Sequence, residues 1–99
     1  MSFVITHPEM LLAAATQLQA IGSAMAAGNA AAAAPTIGVV PAAADEVSAL
    51  TAAQFATQAG RYQAISAQAA AVHDLFVNAL GTSAGSYAAT EAANAIAAS

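Results

Sequence analysis

Apolar residues recur at helical spacing along two long stretches of the chain. In the first, from about residue 8 to residue 32, Leu11, Leu18 and Met25 lie seven residues apart and form a narrow stripe on a helix. In the second, from about residue 45 to residue 80, the larger apolar residues cover an arc of about 200° in helical projection. The pattern predicts two long helices, of which the second has the wider apolar face.

Residues that start and stop helices indicate where the first helix lies. Thr6 is the predicted N-cap, with Glu9 completing a capping box and Pro8 in the first turn, where its missing N–H costs nothing. Pro35 and Pro41 then forbid continuation of the helix. The sequence therefore predicts a connection over about residues 33–44.

The second helix has signals of the same kind at both ends. Asp45 and Glu46 favour a helix N-terminus through the helix dipole, and Gly81 is placed as a C-terminal stop. The small and polar residues 82–99 follow, and a short isolated helix is marginal in water. We therefore expect a flexible tail there, at the end of a single all-α hairpin domain.

The apolar arc of the second helix is about twice as wide as one antiparallel neighbour requires. A second protein is therefore expected to cover it, although a hairpin that associates with itself explains the same residues. The candidate interface residues are Leu11, Leu18, Met25, Val47, Leu50, Phe55, Tyr62, Ile65, Val72, Leu75, Phe76 and Leu80.

Composition strengthens the expectation of a partner. Although 60% of the residues are apolar, 34 of the 99 are alanine, so little apolar surface is available for burial per ordered residue. We expect that the chain does not fold well alone. The net charge of −4, with Arg61 as the single basic residue, gives no electrostatic footprint for nucleic acid or anionic lipid.

Other segments bear on export and on membranes. The first nine residues lack the basic start and long apolar core of a secretory signal peptide, so export by that general route is not expected. Polar residues interrupt every apolar run before it reaches the 18 or more residues of a membrane span.

Candidate catalytic and metal-binding residues do not form a convincing site. Ser83 lies in a Gly-x-Ser-x-Gly segment, but no strand precedes it, and His73 and Asp74 come before the serine instead of after it. His73 and Asp74 also diverge by about 100° on a helix, which is unsuitable for a metal pair. His7 is expected at the surface. No enzyme activity, cofactor or metal is predicted, and the absence of cysteine excludes disulfides and thiolate sites.

Tyr87 and Glu91 are the remaining candidate pair. They lie four residues apart, so a helix would place the phenol and the carboxylate on one face. Taken alone, this spacing is a weak pattern, and an incidental surface pair explains it as well.

Five segments together resemble one known family, the PE domain of mycobacteria, which is named for a Pro-Glu pair. That pair stands here as Pro8 and Glu9, and the resemblance spans nearly the whole chain. The matching segments are residues 1–4, 8–9, 39–48, 62–64 and 87–91.

The resemblance implies a fold and a role. It implies a helical hairpin that completes an elongated four-helix bundle with a protein of the PPE family, exported as a folded heterodimer by a type VII secretion system. In that family a Tyr-x-x-x-Asp/Glu motif is the secretion signal, and Tyr87 and Glu91 match it. A chaperone that binds the PPE partner in the cytosol and the ATPase of the secretion machinery are the further implied partners. The expected location is secreted, or at the cell surface or outer envelope.

A different class of function stays open beside this one. An alanine-rich amphipathic helix pair on or in the mycobacterial outer envelope would share the composition. The scarcity of Lys and Arg on the polar faces argues against simple adsorption to a lipid surface.

Overall fold

The computed structural model describes residues 4–99 and shows two long helices, α1 (Pro8–Ile37) and α2 (Glu46–Ala97), in an antiparallel hairpin. The molecule measures 81 × 18 × 16 Å, and its radius of gyration is 23.0 Å. A compact domain of this length would have a radius of gyration of about 13 Å. The all-helical hairpin is therefore confirmed in a strongly elongated form. Residues 1–3, which contribute to the family resemblance, lie outside the described part.

The start of α1 differs from the predicted capping box. The N-cap is His7, with φ of −122°, and no side chain caps the helix. Pro8 explains the shift by one residue, because a proline disfavours helical backbone in the residue before it and is itself suited to the first helical position. The Thr6 hydroxyl instead donates to Glu91, and Glu9 lies beside His7.

The end of α1 lies later than predicted, at Ile37 instead of about residue 32. Pro35 is inside the last turn of the helix, where it removes one backbone hydrogen bond without ending the helix at once. Gly38 is the C-cap, and its backbone N–H donates to the Ala34 carbonyl oxygen at 2.9 Å. The connection is therefore shorter than predicted, since it runs from residue 38 to residue 45.

The start of α2 confirms the prediction for Asp45. One carboxylate oxygen accepts from the backbone N–H of Ser48 at 2.8 Å, and the other accepts from the Ser48 hydroxyl at 2.8 Å. Both hydrogen bonds hold the pKa of the Asp45 carboxyl below its ordinary value, and the bond from the backbone N–H has the larger effect. Asp45 is thus an N-cap that stabilises the helix most when it is ionised.

The predicted stop at Gly81 is wrong, because α2 runs through it to Ala97. A glycine ends a helix by adopting a left-handed conformation, and none of the described residues has a positive φ. Residues 82–97 extend a helix that is already nucleated, so they avoid the cost that makes a short isolated helix marginal. The segment expected to be a flexible tail is helical.

The seam between the helices is built mainly from small side chains. The buried residues among 4–99 are Ala15, Ala52 and Ala84. On α2, half-buried residues continue at seven-residue spacing from Ala52, and others lie at multiples of seven positions from Ala84, a series that the exposed Ala70 interrupts. They are Ala59, Ser66, His73 and Leu80 in the first series, and Ala56, Gln63, Val77 and Glu91 in the second.

Hydrogen bonds between distant parts of the chain fix the register of the hairpin. The Asn29 side-chain oxygen accepts from the Tyr62 hydroxyl at 2.8 Å, and the Asn29 carbonyl accepts from the Gln63 amide at 2.9 Å. His73 Nε2 lies 2.7 Å from the Leu18 carbonyl oxygen. These hydrogen bonds align the two helices along a seam that has few large side chains to fix their alignment.

The helix α1 is long and apolar enough by composition to cross a membrane, with a mean hydropathy of 1.3 and little burial. Alanine accounts for 12 of the 30 residues of this helix. The same helix carries Gln17, Gln19, Ser23 and Asn29, which interrupt its apolar surface. An apolar helix that packs against a second protein has the same length and hydropathy.

Candidate functional site

The principal candidate site is an exposed apolar face on α2. Its members are far more accessible than core residues, with exposed fractions from 53% at Tyr62 and Phe76 to 73% at Val47. The narrow seam with α1 leaves them uncovered. The residues of this apolar face are Val47, Leu50, Phe55, Tyr62, Ile65, Val72, Leu75 and Phe76.

The other predicted interface residues divide between the seam and the surface. Leu11, Leu18 and Leu80 are half-buried between the two helices. Met25 is 60% exposed and therefore accessible to a partner. The three leucines therefore contribute at least partly to the packing of α1 against α2 within the hairpin.

Several exposed apolar residues were absent from the predicted interface. Met10, Leu12 and Ile21 are exposed on α1. In the connection, Val39 and Val40 line a shallow groove of about 210 Å³ with residues of the first turns of α2. No local pattern marks these residues as interface residues, because single exposed apolar side chains are common on protein surfaces.

A second groove, of about 480 Å³, lies along the middle of the hairpin. Gly22, Ala26 and Ala70 contribute to its wall, so the groove exists because large side chains are missing there. His73 and Asp74 also line it. The described residues contain no group of three or more metal-ligating side chains.

His73 has a structural contact that the sequence did not predict. A carbonyl oxygen can only accept, so the 2.7 Å contact with Leu18 places a proton on His73 Nε2. The ring also lies over Gly22, where an added Cβ would be 2.9 Å from two ring atoms. His73 is thus a contact between the helices, made possible by a glycine.

Ser83 does not lie in a nucleophile elbow. The whole Gly81 to Gly85 segment is helical within α2. An elbow would require a strand leading into a strained turn, with the serine at its apex. The geometry needed for activation of Ser83 is therefore not formed by this segment.

The Pro8 and Glu9 pair lies at the start of α1. Pro8 occupies the first helical turn, and the Glu9 carboxylate lies 3.3 Å from His7 Nδ1. The backbone N–H of Glu9 and then the His7 side chain hold the pKa of the Glu9 carboxyl below its ordinary value. Both side chains of this contact are exposed, so it contributes little to stability.

Tyr87 and Glu91 both lie on α2, and their spacing of four places them on one face of the helix. Tyr87 is 48% exposed, whereas Glu91 is half-buried. One Glu91 carboxylate oxygen accepts from the Thr6 hydroxyl at 3.0 Å. The pair is therefore held on a helix instead of in a flexible segment, and its acidic member already has a partner.

Comparison with known proteins assigns the chain to a family. It matches the model of the PE family over residues 4–94. PE family protein PE13 of Mycobacterium tuberculosis (strain ATCC 25618 / H37Rv) is 69% identical over 99 residues, which cover both chains completely.

Two longer relatives contain a similar segment. PE family protein PE8 of the same strain is 61% identical over 98 residues, and these span 36% of its length. PE-PGRS family protein PE_PGRS36 of Mycobacterium tuberculosis (strain CDC 1551 / Oshkosh) is 63% identical over 95 residues, which span 19% of its length. The family resemblance is confirmed along nearly all of the sequence, and the chain belongs to the PE family.

Proposed function

We propose that this chain is the smaller half of a heterodimer with a PPE-family protein and that the complex is exported by a type VII secretion system. The observation that carries the proposal is the exposed apolar face of α2. Eight large apolar side chains there are at least half exposed, although Gln54, Gln58 and Arg61 interrupt the face. Monomeric soluble proteins rarely expose so many large apolar side chains along one face.

The shape of the hairpin supports a helical partner. Its apolar face runs from Val47 to Phe76, a span of about 44 Å at the rise of an α-helix. A partner with a helix pair of similar length would cover this face along its whole length. The result would be an elongated four-helix bundle in which this chain contributes two helices.

The proposed export signal is formed by Tyr87 and Glu91. Family membership supports it, since the two residues match the motif that the family resemblance implies. The chaperone is proposed to bind the PPE partner, and the secretion ATPase is proposed to receive the folded complex. No catalytic step is assigned to this chain.

The interface is tested by Phe76→Asp in a chain co-expressed with a candidate PPE partner. An unpaired carboxylate in an apolar interface costs several kcal/mol, so we expect binding at least about a hundredfold weaker. Size exclusion and calorimetry measure the complex. Ala67→Asp is the matched control, because it adds the same charge at an exposed position about 180° around the same helix.

Both variants must have the helical content of the unmodified chain by circular dichroism. A Phe76→Asp chain that co-elutes with its partner at the unmodified affinity would contradict the proposed interface. Equal weakening by Ala67→Asp would show that charge on the hairpin, and not the apolar face, governs assembly.

The export signal is tested by Tyr87→Ala in a strain with a working type VII system. We expect the variant to remain in the cytosol as an intact complex, because Tyr87 is half exposed and lies beyond the apolar face. Culture filtrate and cell envelope are assayed together with the cytosol. Thr90→Ala, an exposed change in the same turn, is the control expected to be exported normally, and normal export of Tyr87→Ala would refute the signal.

A further inference from the structure

The start of the chain contacts the last part of α2 through a hydrogen bond. The Thr6 hydroxyl donates to Glu91 Oε1 at 3.0 Å, across 85 positions of sequence. Thr6 lies two residues before α1 begins, and Glu91 lies in the last two turns of α2. The bond therefore joins the two ends of the hairpin at the extremity opposite the connection.

The local surroundings favour a persistent bond. Thr6 and Glu91 are each half-buried, and Ala84, two turns before Glu91, is only 1% exposed. Hydrogen bonds to an ionised acceptor are stronger than neutral ones, and partial exclusion of water increases the difference. Apart from Glu91, residues 85–97 are all exposed, so few other contacts restrain this segment.

Thr6 was expected to cap α1, but its hydroxyl serves another purpose. His7 is the N-cap, so the Thr6 side chain is free to reach the other helix. Replacing Thr6 therefore removes the contact with Glu91 without removing a helix cap. This separation makes the role of the bond testable.

We infer that Thr6 is a positioning residue for the Tyr87 to Glu91 segment, because its bond to Glu91 latches the last turns of α2 onto the start of the hairpin. The latch keeps these turns helical, and only a helix holds Tyr87 and Glu91 on one face. The role of this latch in export rests on the function proposed above. Its effect on the helical structure of the last turns of α2 is independent of that proposal.

The structural effect is measured by hydrogen exchange of backbone amides 86–97 in the full chain, both alone and in the complex with its co-expressed partner, because the chain alone is expected to be marginally stable. In Thr6→Val, which keeps the side-chain shape but removes the hydroxyl, we expect these amides to exchange about tenfold faster. Thr6→Ser keeps the hydroxyl and should restore slow exchange. Amides in the middle of the hairpin should be unaffected in both variants.

Export supplies a second readout. Thr6→Val should be exported several-fold less than the unmodified chain, and Thr6→Ser should be exported normally. Glu91→Gln retains an acceptor oxygen for Thr6 while removing the charge, so it separates the latch from recognition of the carboxylate. Slow exchange together with lost export in Glu91→Gln would show that the charge is read independently of the latch.

Two results would overturn the inference. Equal exchange of amides 86–97 in Thr6→Val and the unmodified chain would show that no latch exists. Faster exchange with undiminished export, in a strain where Tyr87→Ala is blocked, would show that the latch does not position the signal. If Tyr87→Ala is itself exported normally, the proposed export signal fails, and the exchange data alone decide whether Thr6 latches the helix.

Discussion

His73 and Gly22 show how single residues hold this hairpin together. Small side chains bring the two helices close but leave few large contacts to fix their alignment. The bond from His73 to the Leu18 carbonyl supplies one fixed point, and the absence of a side chain at Gly22 makes room for the ring. The glycine is therefore required by packing, since its backbone conformation is ordinary.

Gly22→Ala should destabilise the hairpin, although alanine is the better helix former. The added Cβ would lie 2.9 Å from the His73 ring, so the ring must move and lose its bond to Leu18. The gain in helix propensity is up to about 1 kcal/mol, whereas overpacking costs about 1–3 kcal/mol and the lost bond about 1 kcal/mol. We expect a net loss of about 1–3 kcal/mol in the free energy of urea unfolding.

Gly28→Ala is the matched control on the same helix. Nothing lies within 4 Å of an added Cβ there, so this change should stabilise the chain. If the loss in Gly22→Ala acts through His73, it should shrink in a chain that also carries His73→Ala. An unchanged loss in the double variant would contradict the proposed clash.

The contacts of His73 and Thr6 could not be predicted from one sequence. Their partners lie 55 and 85 positions away, whereas the patterns used to predict structure are local. The sequence did predict that Phe55, Tyr62 and Phe76 would need a cover beyond α1. These three side chains are more than half exposed on α2, because helical spacing determines which face a residue occupies. Their burial by a partner stays a prediction.

At the scale of the elements, helix starts were easier to predict than helix ends. Asp45 and Pro8 act through hydrogen bonds and sterics within a few residues, so their effects are local. Whether a helix ends at Pro35 or at Gly81 depends on the backbone conformation and contacts of the residues that follow. The helix continues past both positions because each follows many turns of established helix, where adding a residue costs little.

Gly81→Ala distinguishes a continuous α2 from one that stops at residue 81. In a continuous helix nothing lies within 4 Å of the added Cβ, and alanine should stabilise the chain by about 0.5–1 kcal/mol. In a helix that ends at Gly81 with left-handed backbone, alanine would destabilise it by about 1–2 kcal/mol. The sign of the shift in the urea midpoint therefore reports the state of the helix.

Gly85→Ala serves as a second measurement of the same property. It lies one turn later and also has open space around the added Cβ. Both variants should gain stability and helical circular dichroism if residues 82–97 are helical in solution. If Gly81→Ala destabilises the chain and Gly85→Ala has no effect, α2 ends at Gly81 in solution and the following residues are flexible, as the sequence predicted.

The whole molecule has the dimensions of a helix pair and almost no core of its own. It is 81 Å long and 16–18 Å thick, and its buried residues among 4–99 are three alanines. Hydrophobic stabilisation scales with the apolar area removed from water, so most of what this sequence offers is still unused in the hairpin. An assembly that covers the apolar face would supply it.

We therefore expect the stability of the chain to depend on what covers its apolar face. Alone and dilute, it should unfold at low temperature in a broad transition. A saturating partner at about 100 times its Kd adds about 2.7 kcal/mol by mass action and should raise the midpoint. Thermal circular dichroism at several concentrations of chain and PPE partner measures this dependence.

The same experiment separates the competing functions. A midpoint that rises with the concentration of the chain alone would indicate self-association, and sedimentation would identify the oligomer. A rise with neutral lipid vesicles but not with partner would favour the membrane hypothesis, for which the hydropathy of α1 is the physical basis. A sharp transition that neither partner, lipid nor concentration moves would show that the hairpin is stable by itself. In that case the exposed apolar face would no longer require a partner, because its burial would not be needed for folding.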